Sequence, residues 1–252
     1  MKVNWMEPMD KIEEFQTECA DRVKRYRSDK TLKKSSKAFL NESVRAKYSY
    51  NFSWMGRPII QYPQDIIAMQ EIIWNVRPDL IIETGIAHGG SLIFYASMLE
   101  LLGGIGKVIG IDIDIREHNL HEIEKHPMVK RITMIEGSSI DDSVVEKVRR
   151  FTRGEKRVLV CLDSLHTEDH VLRELEIYSP MVSPESYCVV FDTIVEDLPD
   201  EYSEDRPWGK GNNPKTAVWK FLEGNDRFVI DKDIENKLLI TMCPDGYLKC
   251  VR

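Results

Sequence analysis

The chain predicts a doubly wound α/β fold, a mostly parallel sheet of seven strands covered by helices on both faces and preceded by an N-terminal helical extension. Three observations carry this expectation. From residue 80 onward, short runs rich in Ile and Val alternate with amphipathic segments, and strands that are apolar along their whole length belong between two helical layers. A glycine-rich turn, ETGIAHGGS, follows the first of these runs. Glu83, Asp112, Asp163 and Asp192 each close or follow an apolar run, which in a parallel sheet sets them along one carboxyl edge, where such folds bind ligands.

The elements follow in order. The first fifty residues read as charged helix, with Ile12, Phe15, Cys19 and Val23 of MDKIEEFQTECADRVKRY at helical spacing. The basic run DKTLKKSSK reads as a solvated surface. Prolines interrupt FSWMGRPIIQYPQD, and DIIAMQEIIWNV forms a helix that ends before Pro78. Predicted strands are LIIE (80–83), KVIGID (107–112), RITMI (131–135), RVLVCLD (157–163), SYCVVFD (186–192), FVID (228–231) and LLITMC (238–243). Helices are expected at SLIFYASMLELL, HNLHEIEKH, DDSVVEKVRRFT, EDHVLRELEIY and NPKTAVWKFLEG, with Met98 and Trp74 in the core. The organisation is thus an extension over 1–55 and a sheet domain over 56–252. The extension would either join a homo-oligomer or pack on its own subunit.

A formal net charge of -7 argues against nucleic acid or an anionic membrane as main partner. No run approaches the roughly 20 apolar residues that span a bilayer, and MKVNWMEPMDKIEEF lacks a signal-peptide core, so a soluble cytoplasmic protein is expected. Cys19, Cys161, Cys188, Cys243 and Cys250 form no CxxC pair and read as free, mostly buried thiols.

Gly85, Gly89 and Gly90 sit at the first strand-to-helix turn, where a backbone without side chains approaches a ligand beside a helix N-terminus. Their GxxxGG spacing departs from the dinucleotide fingerprint GxGxxG and argues against NAD. A plain tight turn explains the glycines about as well, until the next strand is considered. KVIGIDID ends in Asp112 and Asp114, and an acid at the second strand's tip accepts hydrogen bonds from ribose hydroxyls. Turn and acid together indicate a nucleoside cofactor. After the third strand, IEGSSIDD offers Glu136, Gly137 and Ser138 near the expected adenine, although Ser138 or Ser139 reads equally well as a helix N-cap. His88 reads as a solvent-exposed loop residue.

ETGIAHGGS followed by VIGIDID resembles the class I S-adenosylmethionine-dependent methyltransferases, whose domain is Rossmann-like. With PIIQYPQD, DSLHTEDHV and NNPKTAVWKFL added, residues 50 to 248 resemble the cephalosporin hydroxylase/rhamnosyl O-methyltransferase family, which contains sugar O-methyltransferases. The resemblance implies that Glu83, Gly85, Gly89, Gly90, Ser91, Asp112, Ser138 and Asp163 contact S-adenosylmethionine, and that Trp54 and Gln61 close over it.

Asp163 ends one strand, His166 follows it, and Asp192 ends the next, so two carboxylates share the edge if those strands are neighbours. Such oxygen ligands suit Mg²⁺, which would hold a sugar hydroxyl while the imidazole removes its proton. Family members that resemble this chain place an acid where Asp163 stands, a Glu-Asp pair where Phe191-Asp192 stands, and a catalytic histidine where His166 stands. Phe191 departs from that pattern: the metal site is then weaker, rebuilt with Glu196 or Asp197, or absent. His166 also reads as part of a helix start capped by Thr167, and His170 belongs to that helix. The long segment EDLPDEYSEDRPWGKGNNPK suits a lid, with Arg206, Trp208 and Lys210 facing substrate; equally, Pro207 and Trp208 anchor it in an apolar pocket. Asn213 caps the next helix and Pro214 opens it.

The expected activity is methyl transfer from S-adenosylmethionine to a hydroxyl of a sugar, nucleotide sugar or natural-product precursor. The family's hydroxylase name keeps an iron oxygenase as one alternative, which would require two histidines and a carboxylate on one metal. The Phe191 departure keeps a non-catalytic cofactor-binding partner subunit as another.

Overall fold

The computed structural model describes residues 10–154 and 157–252; residues 1–9, the start of the predicted extension and of the segment read for a signal peptide, lie outside the described residues, as do 155–156. Helix α1 (Lys11–Tyr26) starts at the Asp10 cap and α2 (Lys30–Arg45) at the Asp29 cap. Two short strands, β1 (Ser53–Trp54) and β2 (Arg57–Pro58), pair antiparallel around Met55 and Gly56, both at positive φ, as tight hairpin turns require. Helix α3 (Pro63–Val76) opens on proline and leads to β3 (Leu80–Thr84), α4 (Gly90–Leu102), β4 (Lys107–Asp112), α5 (Glu117–Glu124) and β5 (Ile132–Glu136). The second half runs α6 (Asp142–Thr152), β6 (Val158–Leu162), α7 (Glu168–Tyr178), β7 (Tyr187–Val190), α8 (Pro214–Glu223), β8 (Phe228–Ile230), α9 (Lys232–Leu238) and β9 (Tyr247–Cys250).

The seven-stranded sheet has the order β5-β4-β3-β6-β7-β9-β8, parallel from β5 to β7 and antiparallel at β9 and β8. After β5 the chain crosses back to lay β6 against the other side of β3, so the strand order reverses between them and opens a crevice at their carboxyl ends. Strand alternation sends Leu80, Ile82, Val158 and Val160 to one core, with α6, α7 and α8, and Ile81, Leu159 and Cys161 to the other, with α3, α4 and α5. Each such side chain contributes roughly 1.5–3 kcal/mol of burial.

The predicted sheet holds, with one correction. LLITMC is not a strand: its first residue ends α9, Leu239 turns at positive φ, and 239–243 runs irregularly. The reason is Asp65 on α3, fully buried, whose carboxylate accepts hydrogen bonds from the Thr241 hydroxyl, the Met242 amide (2.9 Å) and the Tyr247 hydroxyl (2.8 Å). The Met242 amide, which a strand would spend on its ladder, is spent on this acid. The seventh strand is instead Tyr247–Cys250, following the Pro244-Asp245-Gly246 turn.

Trp74 is not in the core; it is 55% exposed and lies under the Arg77 guanidinium, 4.5 Å from its ring centre. Met98 does pack against the second core. In α1, Ile12 and Phe15 share a helical face but are 64% and 61% exposed. Helix α2 is tied in: Leu40 packs with Tyr62, Ile194 and Leu198, and Ser43 Oγ lies 2.7 Å from the Tyr62 hydroxyl. Four of the five cysteines are buried and all are free thiols. No helix of the described residues is long and apolar enough to cross a membrane.

Replacing Asp65 by Ala leaves three buried donors unmatched and should cost about 3 kcal/mol in urea unfolding, with Asp65→Asn losing less. Burial pushes this carboxyl from 3.8 up to about 6 against those hydrogen bonds. A raised value favours the protonated form in the fold, so its contribution is full below pH 4 and is lost as pH rises through 6. Relative to Asp65→Asn, wild-type stability should therefore fall across that interval; a constant difference would refute the assignment.

Candidate active site

Strand β3 ends in Glu83 and Thr84 and passes directly into the glycine turn. Gly85 has φ +90°, and a Cβ there would stand 2.0 Å from the Asp163 carbonyl oxygen, so only glycine lets the two neighbouring strand ends meet. At Gly90, where α4 begins, a Cβ would meet the Pro58 carbonyl at 2.1 Å. Gly89, φ +78°, caps that helix. Helix α4 thus directs its N-terminus, with the positive end of its dipole, at the crevice.

Arg57 clamps the turn by donating from Nε (3.0 Å) and a terminal nitrogen (2.7 Å) to the His88 carbonyl, and it also donates to Asn119 Oδ1, whose own amide reaches the Ala87 carbonyl at 2.9 Å. His88 is half-buried and enters the architecture through its backbone. Sequence reading missed Arg57 and Asn119; both lie outside any motif, and no spacing signals them.

Glu83 is fully buried. Ser91 donates to its Oε2 at 2.7 Å, while Oε1 has no protein partner. Burial pushes this carboxyl up to about 8; the hydroxyls of Ser91 and Tyr95 oppose the rise and the charge of Asp112 adds to it. Asp112, at the tip of β4, accepts from the amides of Ile86 (2.7 Å) and Ala87 (3.2 Å) through Oδ2 and from Asp114 N at 3.2 Å through Oδ1. Gln61 is buried, with both amide atoms unpartnered, in a cleft it shares with Gly85, Gly90, Ser91 and Asp163. Trp54 lies elsewhere: its indole N–H donates to Ser97 Oγ (2.9 Å) and its ring packs edge-on against Phe94 of α4.

The turn after β5 carries Ser138 and Ser139. Neither caps α6, whose N-cap is Asp141. The Ser138 carbonyl accepts from Asp141 N, and buried Ser139 places its hydroxyl 3.1 Å from His170 Nε2.

Beyond the neighbouring ends of β6 and β7, Asp163, His166 and Asp192 come together, with one ligand atom of each within 4.8 Å of the others. His166 Nε2 lies 3.2 Å from Asp192 Oδ2. Asp192 takes φ +54°, a left-handed conformation rare for residues other than glycine, in the turn that follows β7. Burial first, then the charges of Asp192, Glu83 and Glu174, hold the Asp163 carboxyl well above the carboxylate range. Phe191 sends its ring into the second core, 2% exposed.

Glu196 is not brought into this cluster. Its Oε2 accepts from Gly211 N (2.8 Å) and Asn213 Nδ2 (2.5 Å), while Asp197 pairs with Lys215 at 2.5 Å. Both acids fasten the long loop and the start of α8, where Asn213 forms a full capping box. That loop lays Trp208 edge-on against His166, ring centres 4.9 Å apart at 88°, with the Arg206 guanidinium 5.4 Å from the Trp208 ring centre. Lys210 is exposed.

Comparison with known proteins agrees with this architecture. The rhamnosyl O-methyltransferase of Mycobacterium bovis (strain BCG / Pasteur 1173P2) is 29% identical over 227 residues, 88% of this chain and 85% of that protein. The protein of that name from Mycobacterium leprae is 30% identical over 142 residues, 56% of this chain and 60% of its own length. An apo structure of CmcI superposes with a TM-score of 0.57 at 18% identity, covering 81% of this chain and 77% of that one. A CmcI structure with Mg and SAM gives 0.55 at 18%, covering 81% and 78%. These two likenesses establish the shared fold. With residues 46–251 matching it, the chain belongs to the rhamnosyl O-methyltransferase/CmcI family.

Proposed function

We propose that the chain is an S-adenosylmethionine-dependent O-methyltransferase acting on a hydroxyl of a sugar, nucleotide sugar or glycan precursor with the aid of a divalent ion. The observation that carries this reading is the convergence of Asp163, His166 and Asp192 beside the glycine turn. The curated relatives named rhamnosyl O-methyltransferase support a sugar acceptor, and the CmcI structure with Mg and SAM supports both bound groups. In this reading residues 56–252 form the catalytic domain and 1–55 the extension.

The residues present fit both groups. The unpartnered Glu83 Oε1 and Gln61 amide offer one acceptor for an ammonium and one amide for a carboxylate, the two ends of an amino acid. Gly85, Gly89, Gly90 and Ser91 line or shape that cleft, Asp112 serves the ribose and Ser138 the adenine. Asp163 and Asp192 would hold the ion, a donor set suited to Mg²⁺. Bound, the cofactor supplies a methyl group already activated by sulfonium charge, and the ion supplies positive charge against the acceptor oxygen. His166 takes the acceptor's proton, and Asp192, 3.2 Å away, stabilises the imidazolium that results. Trp208, edge-on to that ring, fixes its plane, and with Arg206 it forms the wall against which the sugar lies. The oxygenase alternative lacks its second histidine: His170 is engaged by Ser139 and Glu174 and stands outside the cluster.

Conversion of S-adenosylmethionine to S-adenosylhomocysteine over a panel of rhamnosides, other glycosides and nucleotide sugars, with Mg²⁺ or EDTA, tests the reading. Turnover confined to a sugar acceptor and suppressed by EDTA is expected; binding of the cofactor without turnover on any hydroxyl would favour the partner-subunit alternative.

The position of His166 Nε2 next to Asp192 also admits a second role, as third metal ligand. His166→Ala separates the two. As base, its loss should lower kcat by about 10²–10⁴-fold while Mn²⁺ binding, read by electron paramagnetic resonance, persists. As ligand, its loss weakens Mn²⁺ binding as well.

Glu83 generates a further expectation. Raised to about 8, its carboxyl is largely protonated at pH 7 before a cationic amine arrives, and the amine requires the carboxylate. Cofactor binding at pH 7 should then release about one proton, visible as a buffer-dependent heat, and affinity should rise with pH until about 8. Glu83→Gln should abolish the release. Heats independent of buffer in the wild type would remove Glu83 from the amine site.

A further inference from the structure

Helix α7 carries an anomaly on its inward face. Val171, Leu175 and Tyr178 are buried at helical spacing, and Glu174 stands among them with no exposure at all. An aliphatic side chain would stabilise such a position at least as well as an acid, so packing gives no account of it. Its carboxylate is paired with no Lys or Arg among the described residues and meets instead a hydroxyl and an imidazole. Ser164 Oγ donates to Oε1 at 2.7 Å, and His170 Nε2 lies 3.5 Å from the same oxygen. His170, one helical turn before Glu174, also lies 3.1 Å from Ser139 Oγ, and the Tyr178 hydroxyl donates to the Ser139 carbonyl at 2.7 Å.

These contacts reach two different turns of the active edge. Ser139 directly follows Ser138 on the turn after β5, the adenine side of the proposed site. Ser164 directly follows Asp163 and precedes His166 by two residues on the turn after β6. One helix therefore grips both turns, through residues that touch neither the cleft nor the acid–histidine cluster. Methyl transfer depends on alignment between donor and acceptor, and small displacements cost large factors in rate.

We infer that Glu174 and His170 are positioning residues, a buried polar brace that joins the cofactor-side turn at Ser139 to the catalytic turn at Ser164 and sets the distance between them. The inference rests on the methyltransferase reading. His170 governs the Ser139 arm and therefore cofactor affinity; Ser164 governs the Asp163–His166 arm and therefore the rate of the bound complex. Glu174 joins the arms and affects both.

Calorimetric binding of S-adenosylmethionine and steady-state methyl transfer, on the full chain with Mg²⁺, test this with four variants. His170→Ala should weaken cofactor binding about tenfold, whereas Ser164→Ala should lower kcat about tenfold and leave cofactor affinity within about twofold. Glu174→Gln should show both losses. Glu174→Leu keeps the volume and removes the polar atoms; it should stay folded with an undiminished Tm and still show both losses, which a purely structural role does not produce. A Glu174→Leu protein with wild-type kcat and affinity, or His170→Ala and Ser164→Ala proteins changed only in Tm, would overturn the brace alone. A wild-type chain that fails to bind S-adenosylmethionine would overturn the reading beneath it as well.

Discussion

Negative charge gathered at one edge of the sheet is the constraint on which the site depends. The charges of Asp192, Glu83 and Glu174 act on the Asp163 carboxyl, and among the described residues none of the four forms an ion pair with Lys or Arg. Two carboxylates within 4.8 Å of each other repel by about 3 kcal/mol or more at an effective dielectric of about 20. Proteins offset such repulsion with a proton, as the raised Asp163 and Glu83 carboxyls indicate, or with a cation. An edge of this kind favours cationic ligands by construction. A sulfonium, an ammonium and a divalent ion are three of them, which is why the proposed chemistry and the electrostatics point the same way.

Topology produces this concentration of charge. The reversal of strand order between β3 and β6 brings Glu83 and Asp163, eighty residues apart in sequence, to adjacent strand ends. Gly85 permits the approach, because any side chain there would collide with the Asp163 carbonyl. Three further devices keep the loops at that edge in place: Arg57 and Asn119 on the glycine turn, Glu196 and Asn213 under the long loop, and Asp65 on the segment before β9. Each is a buried or half-buried polar group whose hydrogen bonds hold irregular backbone that strands and helices leave unsupported.

What was legible in the sequence follows from how local each signal is. Doubly apolar strands, the proline and glycine punctuation and the terminal acids are properties of five to ten consecutive residues, so the sheet and its active edge were readable. The last strand was not, because LLITMC has the stronger β composition and only tertiary contact with Asp65 diverts it. Trp74 misled for a similar reason: an aromatic on an apolar helix suggests core, yet its place on α3 faces outward and is covered by Arg77. Glu196 looked like a replacement ligand by proximity to Asp192 in sequence, but the short helical turn over 193–197 directs it to the loop. The brace on α7 was invisible, since His170 and Glu174 look in sequence like ordinary polar positions of an amphipathic helix.

Phe191 shows how the chain accommodates an aromatic ring where the family resemblance implies an acid. Backbone alternation at the end of β7 sends residue 191 into the apolar layer formed with α3 and α4, where its ring is 2% exposed. An acid at this place in this chain would be buried without a basic partner and would carry a large desolvation cost. Asp192 escapes that fate by leaving the strand at positive φ, which turns its carboxylate to His166. The third group of the cluster is an imidazole supplied by the turn after β6. With Phe191 packed in the apolar layer, the cluster at the edge consists of two carboxylates and one imidazole.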